Sequence, residues 1–389
     1  MTAPLATAPD RLRILHVFRA PLGGLFRNVL DLSRGQIALG HDVGIFCDAS
    51  TGSDRADSAL AALEPQLSLG VTRVPMSRYP SLTDGKAQLA FIRSRRLLKP
   101  DVVHTHGAKG GLYGRLPALL GGRRSYVTAY TPHGGSFNYR PGTFEHRLYM
   151  SVERFLKPAT DMFTFESRYI MERFNAYVGA APSAGHRLVH NGVAEEEFEP
   201  IDNAAAKFDL IYLGELRSIK GIDTLLEALA LMKTKDGIDP SLLIVGSGPD
   251  EALLKDMARE LGVAGSITWE PPGPIRAFLA LARIMVVPSR AESLPYVILE
   301  AAAAAQPLVA TNVGGIPEIY GPRHIGRLLE PNDPEALRAG LVAVLTRPPE
   351  ELKAEAADLA EFVHGDFTLD RMMSAAMEGY TAALSTRRA

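Results

Sequence analysis

The sequence predicts an α/β protein with two doubly wound parallel sheets. Three observations carry this. Short apolar runs alternate with helical segments from end to end, the pattern of buried parallel strands joined by crossover helices. At 389 residues the chain is long enough for two domains, each with its own core. The strand–helix series also restarts after a patternless stretch, Phe198-Glu199-Pro200-Ile201-Asp202-Asn203-Ala204, which reads as a linker.

In order, a first strand is expected over 13–18. The loop Pro21-Leu22-Gly23-Gly24 leads into an amphipathic helix over 25–39, closed by Gly40. Further strands are expected over 41–47, 71–75, 102–105, 126–131, 162–165 and 187–190. Between the last three, Phe144, Leu148, Val152 and Phe155 form a stripe at helical spacing beside Arg140, Arg147, Arg154 and Lys157, and the stripe is expected to face the core. The second series comprises strands over 208–213, 241–245, 266–270, 284–287 and 307–311, then mostly helix over 350–388 with a break near Gly365-Asp366. The expected domains are 1–198 and 199–366, with a final helical segment over 367–389.

Composition excludes several classes. Hydrophobic residues make up 46% and charged residues 22%, as in globular proteins. A net charge of −2 offers no global attraction for nucleic acid. The single cysteine, Cys47, rules out an internal disulfide framework, suits a reducing compartment, and reads as a buried structural thiol. No apolar run approaches the roughly 20 residues of a membrane span, and residues 1–10 lack the order of a signal peptide. A cytosolic location is expected.

The stretch over 286–318 carries the most chemistry. An apolar run ends at Pro288-Ser289, a loop holds Glu292, and helix-forming residues follow over 296–305, with Glu300 about two turns in. A helix start presents free N–H groups that attract phosphate. Carboxylates beside such a place suit a sugar nucleotide, because they accept paired hydrogen bonds from vicinal hydroxyls. Glu292 and Glu300, with seven residues between them, resemble the signature of the retaining glycosyltransferases of family 4, whose fold is called GT-B. Ser293-Leu294-Pro295 stands where many members have Gly-Phe-Gly.

Other landmarks follow in family order from residue 21 to residue 318. Gly23-Gly24 looks like the family's glycine loop touching diphosphate and acceptor, with Arg27 one turn later. His104 and His106 lie on one face of a strand end, where resemblance favours an acceptor-side position joined by Lys109. A His-x-His pair can ligate metal, but no third ligand stands at a standard spacing nearby, and no metal is expected. In Tyr130-Thr131-Pro132-His133-Gly134-Gly135, flexible residues after His133 leave its imidazole presented rather than packed. The family places a histidine here against the donor sugar, near its primary hydroxyl. Glu166 and Asn191 also match landmarks beside the acceptor.

In the second half, Arg217 and Lys220 open a helix, where cations oppose the dipole and call for an anionic partner. A departing diphosphate would be one. The usual form is Gly-Arg-Leu, then Lys-Gly; here Glu215 takes the arginine's place and Arg217 follows two residues later, so the role of Lys220 transfers more directly. Gly246 and Gly248 form another strand-to-loop turn, and Pro272 would border the base.

The resemblance thus implies two Rossmann-like domains facing a central cleft, the last helix crossing back to the first domain. The first would bind acceptor and the second nucleotide sugar. It implies transfer of a hexose or N-acetylhexosamine from a UDP- or GDP-linked donor to a glycan or lipid-linked acceptor. Glu300 would hold ribose, Glu292 with Ser293 and Leu294 the sugar, and Arg217 with Lys220 the diphosphate, with no metal or cofactor. Basic clusters at Arg93-Ser94-Arg95-Arg96 and Arg123-Arg124 could hold the first domain against anionic lipid, although a solvated face explains them too. Competing readings are a nucleotide-sugar epimerase of the same fold and a non-catalytic scaffold in polysaccharide assembly. A dehydrogenase is disfavoured by the missing Gly-x-Gly-x-x-Gly fingerprint, and a glycoside hydrolase by two carboxylates near one helix start.

Overall fold

The computed structural model describes residues 11–388, apart from residues 53, 80, 122–124 and 183–184. The tail over 1–10 and the pair Arg123-Arg124 therefore lie outside the described residues. The chain divides into two compact units, one running to Asn191 and resuming at Leu369, the other Gly192–Thr368.

The first unit contains β1 (Arg13–Val17), α1 (Gly23–Ala38), β2 (Asp42–Asp48), α2 (Asp54–Leu63), β3 (Gly70–Val74), α3 (Thr83–Leu98), β4 (Val102–His106), α4 (Gly107–Leu120), β5 (Val127–Thr131), α5 (Phe144–Leu156), β6 (Met162–Phe165), α6 (Arg168–Val178) and β7 (His186–Leu188). The second contains β8 (Phe208–Leu213), α7 (Ile222–Leu231), β9 (Leu242–Val245), α8 (Glu251–Glu260), β10 (Ile267–Glu270), α9 (Ile275–Leu279), β11 (Ala282–Val287), α10 (Tyr296–Ala303), β12 (Leu308–Ala310), α11 (Ile316–His324), α12 (Pro334–Leu345) and α13 (Pro349–Asp366). Helix α14 (Leu369–Arg388) returns to the first unit.

Among the described residues, the first sheet has the order β3-β2-β1-β4-β5-β6-β7 and the second β10-β9-β8-β11-β12, with every pairing between these strands parallel. Every residue of β2, β4 and β5 is buried, as expected of strands covered on both faces. In each sheet the order reverses beside the first strand, between β1 and β4 and between β8 and β11. Loops leaving the carboxyl ends of those neighbouring strands diverge, which is where open α/β sheets bind ligands. The Gly23-Gly24 loop and His106 sit at the first such point, Arg217–Gly221 and Glu292 at the second. Helix α14 packs Met372, Met373 and Ala376 with Leu32 and Val189, and Tyr380 with β1, β4 and β5 residues. Cys47 is fully buried, and burial pushes its thiol up to about 12.

Three expectations need correcting. The first unit ends at Asn191, before the expected 198, and resumes at Leu369 rather than 367. Val193 bridges to Thr368, its N–H donates to the Phe367 carbonyl, and Arg276 donates to the carbonyls of Glu197 and Glu199. These contacts bind the expected linker into the second unit. The stripe on α5 faces outward: Phe144, Leu148 and Phe155 are exposed, while His146, Met150, Glu153 and Leu156 are buried. Buried Glu153, at 2.8 Å from Arg115 and accepting from the Tyr130 hydroxyl at 2.6 Å, made the inner face look polar. Third, Glu300 is the fifth residue of α10, a little over one turn in rather than two.

Candidate functional site

In the second unit, four loops at the carboxyl edge of the sheet pack backbone against backbone. A Cβ at Gly246 would stand 1.9 Å from the Gly214 carbonyl oxygen, and one at Gly248 2.3 Å from that of Leu216. Gly221 has a φ of +68°, and a Cβ there would lie 2.0 Å from the Pro288 oxygen. Gly314, at φ +62°, leaves 1.9 Å to the Glu292 oxygen. Only glycine fits at these last two positions. They draw the loops after β8 and β12 onto the loop that carries Glu292.

Lys220 Nζ donates to Glu292 Oε1 at 2.6 Å, and Ser289 Oγ donates to the same oxygen at 2.7 Å. The Ser289 carbonyl in turn accepts from Thr311 Oγ1 at 2.6 Å, which ties the motif to the end of β12. The anionic partner that the lysine called for is therefore supplied within the unit. Lys220 ends a short 3-10 turn, Ser218–Lys220, ahead of α7. Arg217 precedes that turn, 3.6 Å from Glu215, and both side chains are well exposed. Glu292 and Glu300 are each only 8% exposed. Ser293 and buried Leu294 lead to Pro295, which caps α10 without a side-chain hydrogen bond. Pro272 is exposed in the loop after β10. The loop edge therefore joins Lys220, Glu292, Ser293, Leu294, Gly246 and Gly248.

Arg290 escaped the sequence reading. Its backbone N–H donates to the Ile219 carbonyl, and its guanidinium reaches Asp223 at 2.7 Å, Thr224 at 3.0 Å and the Ser218 carbonyl. It clamps the Lys220 loop onto the Glu292 loop. An arginine two residues before Glu292 gives no local sign of partners about seventy positions earlier.

In the first unit, Gly23 and Gly24 open α1, whose N-cap residue Leu22 makes no side-chain cap, so the glycine loop lies at an exposed helix start. Arg27 pairs with Asp31 one turn on, at 3.3 Å. Lys109 is held by Asp84, 2.7 Å away, with Tyr113 donating to the same carboxylate. Burial works against that carboxyl group's ionised form, yet these donors hold it below its usual range. Glu166 is buried, and buried Asn191 accepts from Asn28 at 3.1 Å.

The histidines gather most closely. His106 Nδ1 lies 2.9 Å from His133 Nε2, and His106 Nε2 lies 2.9 Å from His16 Nδ1. His133 is half-buried, held through its Nε2 to His106. A left-handed backbone (φ 55°) followed by a left-handed Gly134 turns its ring back against β4. His16, His104 and His106 offer nitrogens within 4.8 Å of one another. The His-x-His pair thus has a third imidazole beside it, on β1, 88 positions before His104. Spacing could not reveal it, because parallel strands β1 and β4 place His16 opposite His104. Burial lowers the pKa of all four imidazoles, His16 to about 4 and His133 to about 3.

Residues 22–197 match the family described as Glycosyltransferase Family 4, and residues 193–359 that described as Glycosyl transferases group 1. A D-inositol 3-phosphate glycosyltransferase of Catenulispora acidiphila is 28% identical, over 97% of this chain and 99% of its own. A GDP-mannose-dependent alpha-(1-6)-phosphatidylinositol monomannoside mannosyltransferase of Mycobacterium tuberculosis is 30% identical, over 72% of this chain and 74% of its own. Among solved structures, a sucrose-phosphate synthase from Thermosynechococcus elongatus superposes with a TM-score of 0.77 at 20% identity, covering 94% of this chain and 98% of that one. The Anabaena protein HepE in complex with UDP gives 0.75 at 16% identity, covering 94% and 99%. These two likenesses establish the fold.

Proposed function

The chain belongs to the group 1, or family 4, glycosyltransferases, and from that premise we propose that it moves a hexose or N-acetylhexosamine from a UDP- or GDP-linked sugar to a glycan or lipid-linked acceptor, with retention, in surface polysaccharide or glycolipid synthesis. The observation that carries the reading is the Lys220–Glu292 pair at the glycine-drawn loop edge of the second sheet. Incoming diphosphate would compete with Glu292 for the ammonium, freeing the carboxylate to accept sugar hydroxyls. Lys220 and Arg217 then neutralise the leaving diphosphate, so the reaction runs without a metal ion. Glu300 holds ribose, Ser293 and Leu294 the sugar, Gly246 and Gly248 the nucleotide's turn, and Pro272 borders the base. In the first unit, Gly23 and Gly24 serve diphosphate and acceptor, His133 the sugar, and His106, Lys109, Glu166 and Asn191 the acceptor side. The acceptor then attacks from the leaving group's face, and a phosphate oxygen takes its proton.

No helix among the described residues is long and apolar enough to cross a membrane. We place the enzyme in the cytoplasm, with the first unit resting on anionic lipid. Outward Phe144, Leu148 and Phe155 on α5, beside exposed Arg147 and Arg154 on the same helix and Arg140 just before it, support this. Phe144→Ser with Phe155→Ser should abolish sedimentation with anionic vesicles without changing thermal stability; undiminished sedimentation would remove α5 from the contact.

Thermal shift with UDP, GDP and ADP, each with and without magnesium, tests the donor site. A nucleotide at one hundred times its dissociation constant adds about 2.7 kcal/mol. Stabilisation by one of them, indifferent to magnesium, names the donor base. No response to any would refute the reading.

A further inference from the structure

We propose that a hydrogen-bond chain beginning at a backbone carbonyl fixes His133 as a single tautomer, its Nδ1 a lone pair, and that Tyr380, Gln36, His16 and His106 are positioning residues for it. The inference deepens the reading of His133 as a sugar contact, on which its functional meaning rests. Each link lies within the first unit.

The sense of the chain follows from counting protons. A carbonyl oxygen only accepts. That of Tyr130 accepts from Thr164 Oγ1 at 3.3 Å. Having given its one proton, Thr164 Oγ1 accepts from Thr131 Oγ1. Thr131 then accepts from His104 Nε2 at 2.8 Å, with Thr164 Oγ1 at 3.2 Å sharing the same N–H. A neutral imidazole carries one N–H, so His104 Nδ1 is a lone pair and accepts from the Tyr380 hydroxyl at 2.6 Å. The Tyr380 oxygen accepts from Gln36 Nε2 at 3.4 Å. This orients the amide, and Gln36 Oε1 faces His16 Nε2 at 2.9 Å.

From there the polarity passes ring to ring. His16 holds its proton on Nε2, and its Nδ1 accepts from His106 Nε2. His106 Nδ1 accepts from His133 Nε2. His133 is left with an unprotonated Nδ1. Burial keeps the rings neutral, as the count requires. Reversing the sense would turn Thr164's lone pairs on the Tyr130 carbonyl.

The consequence is chemical selectivity. A neutral ring presenting a lone pair accepts the proton of a hydroxyl and repels phosphate or carboxylate oxygens. His133 would read a sugar hydroxyl and take no part in holding diphosphate. It needs no proton of its own to do so.

The test uses the full chain labelled with ¹⁵N-histidine and needs no substrate. Long-range ¹H–¹⁵N correlation should show His16, His104, His106 and His133 as Nε2–H tautomers throughout about pH 6 to 8. Gln36→Met and Tyr380→Phe should fold, being near-isosteric, and should give mixed tautomers at His106 and His133. Gln36→Glu, whose carboxylate only accepts, should restore the single form that Gln36→Met loses. In parallel, Gln36→Met should raise KM for the sugar nucleotide roughly tenfold and leave the affinity for the bare nucleotide unchanged. An Nδ1–H tautomer or imidazolium at His133, stoichiometric metal on these rings, or variants that leave the His133 tautomer single would each overturn the proposal. If the tautomers are as stated and no sugar nucleotide binds, the chain stands and the transferase reading falls.

Discussion

Replacing Lys220 by alanine removes one charge from the centre of the proposed donor site. Its ammonium lies 2.6 Å from Glu292 Oε1, with the lysine side chain 24% and the glutamate 9% exposed. A hydrogen bond to a charged group contributes about 1.5–3 kcal/mol, and partial solvent access places this one at the lower end. At roughly 2–4 °C per kcal/mol for a unit of this size, Tm should fall by about 3–6 °C. The effect on turnover is larger. Losing one preorganised donor to a developing oxyanion raises a barrier by about 2.7–4 kcal/mol, so kcat should fall between roughly a hundredfold and a thousandfold. The assay is nucleotide release from UDP- and GDP-sugars with acceptor, run well below the variant's transition. Lys220→Met, which keeps the stem, separates packing from charge. An unchanged kcat in either variant would remove Lys220 from the mechanism; release of nucleotide without acceptor would point to the epimerase.

Acid should destabilise the first unit through His16 and His133. Their folded pKa values lie below the ordinary 6.5, so the unfolded chain binds protons first as pH falls. Stability is full above about pH 7 and is lost toward the folded values; at pH 5 each such ring costs about 2 kcal/mol, visible as a lower urea midpoint, and an unmoved midpoint would contradict the buried, neutral rings. Glu153→Leu alone leaves Arg115 charged and buried and should cost about 3–5 kcal/mol in urea denaturation, while Arg115→Met added to it should recover much of that loss. Gly314→Ala drives a Cβ into the Glu292 carbonyl from a left-handed backbone and should abolish nucleotide-dependent stabilisation; full retention would show that the loop contact is dispensable.

Much of the fold was legible because it is locally encoded. Apolar runs of four to six residues predicted strands such as Met162–Phe165 and Phe208–Leu213 at their observed bounds, since a strand covered by helices on both faces has no polar side to hide. The loops at the carboxyl ends, with their glycines and the Glu292–Glu300 spacing, are likewise consecutive in the chain. Where a residue's meaning depended on a distant partner, the sequence was silent or misleading. On helix α5 the apolar stripe turns outward because the inner face contains Glu153, whose charge is answered by Arg115 from α4.

The sequence by itself determined the two parallel sheets, the order of their loops, and the family to which the chain belongs. Tertiary structure decided which side chains meet. Sheet order sets β1 beside β4 and β8 beside β11, and so brings His16 to His106, Lys220 to Glu292 and Arg290 to Asp223. The physical reason is range. Strand and helix periodicity is written within a few residues, whereas a hydrogen bond across a parallel sheet joins positions separated by a whole crossover, and no spacing rule links them.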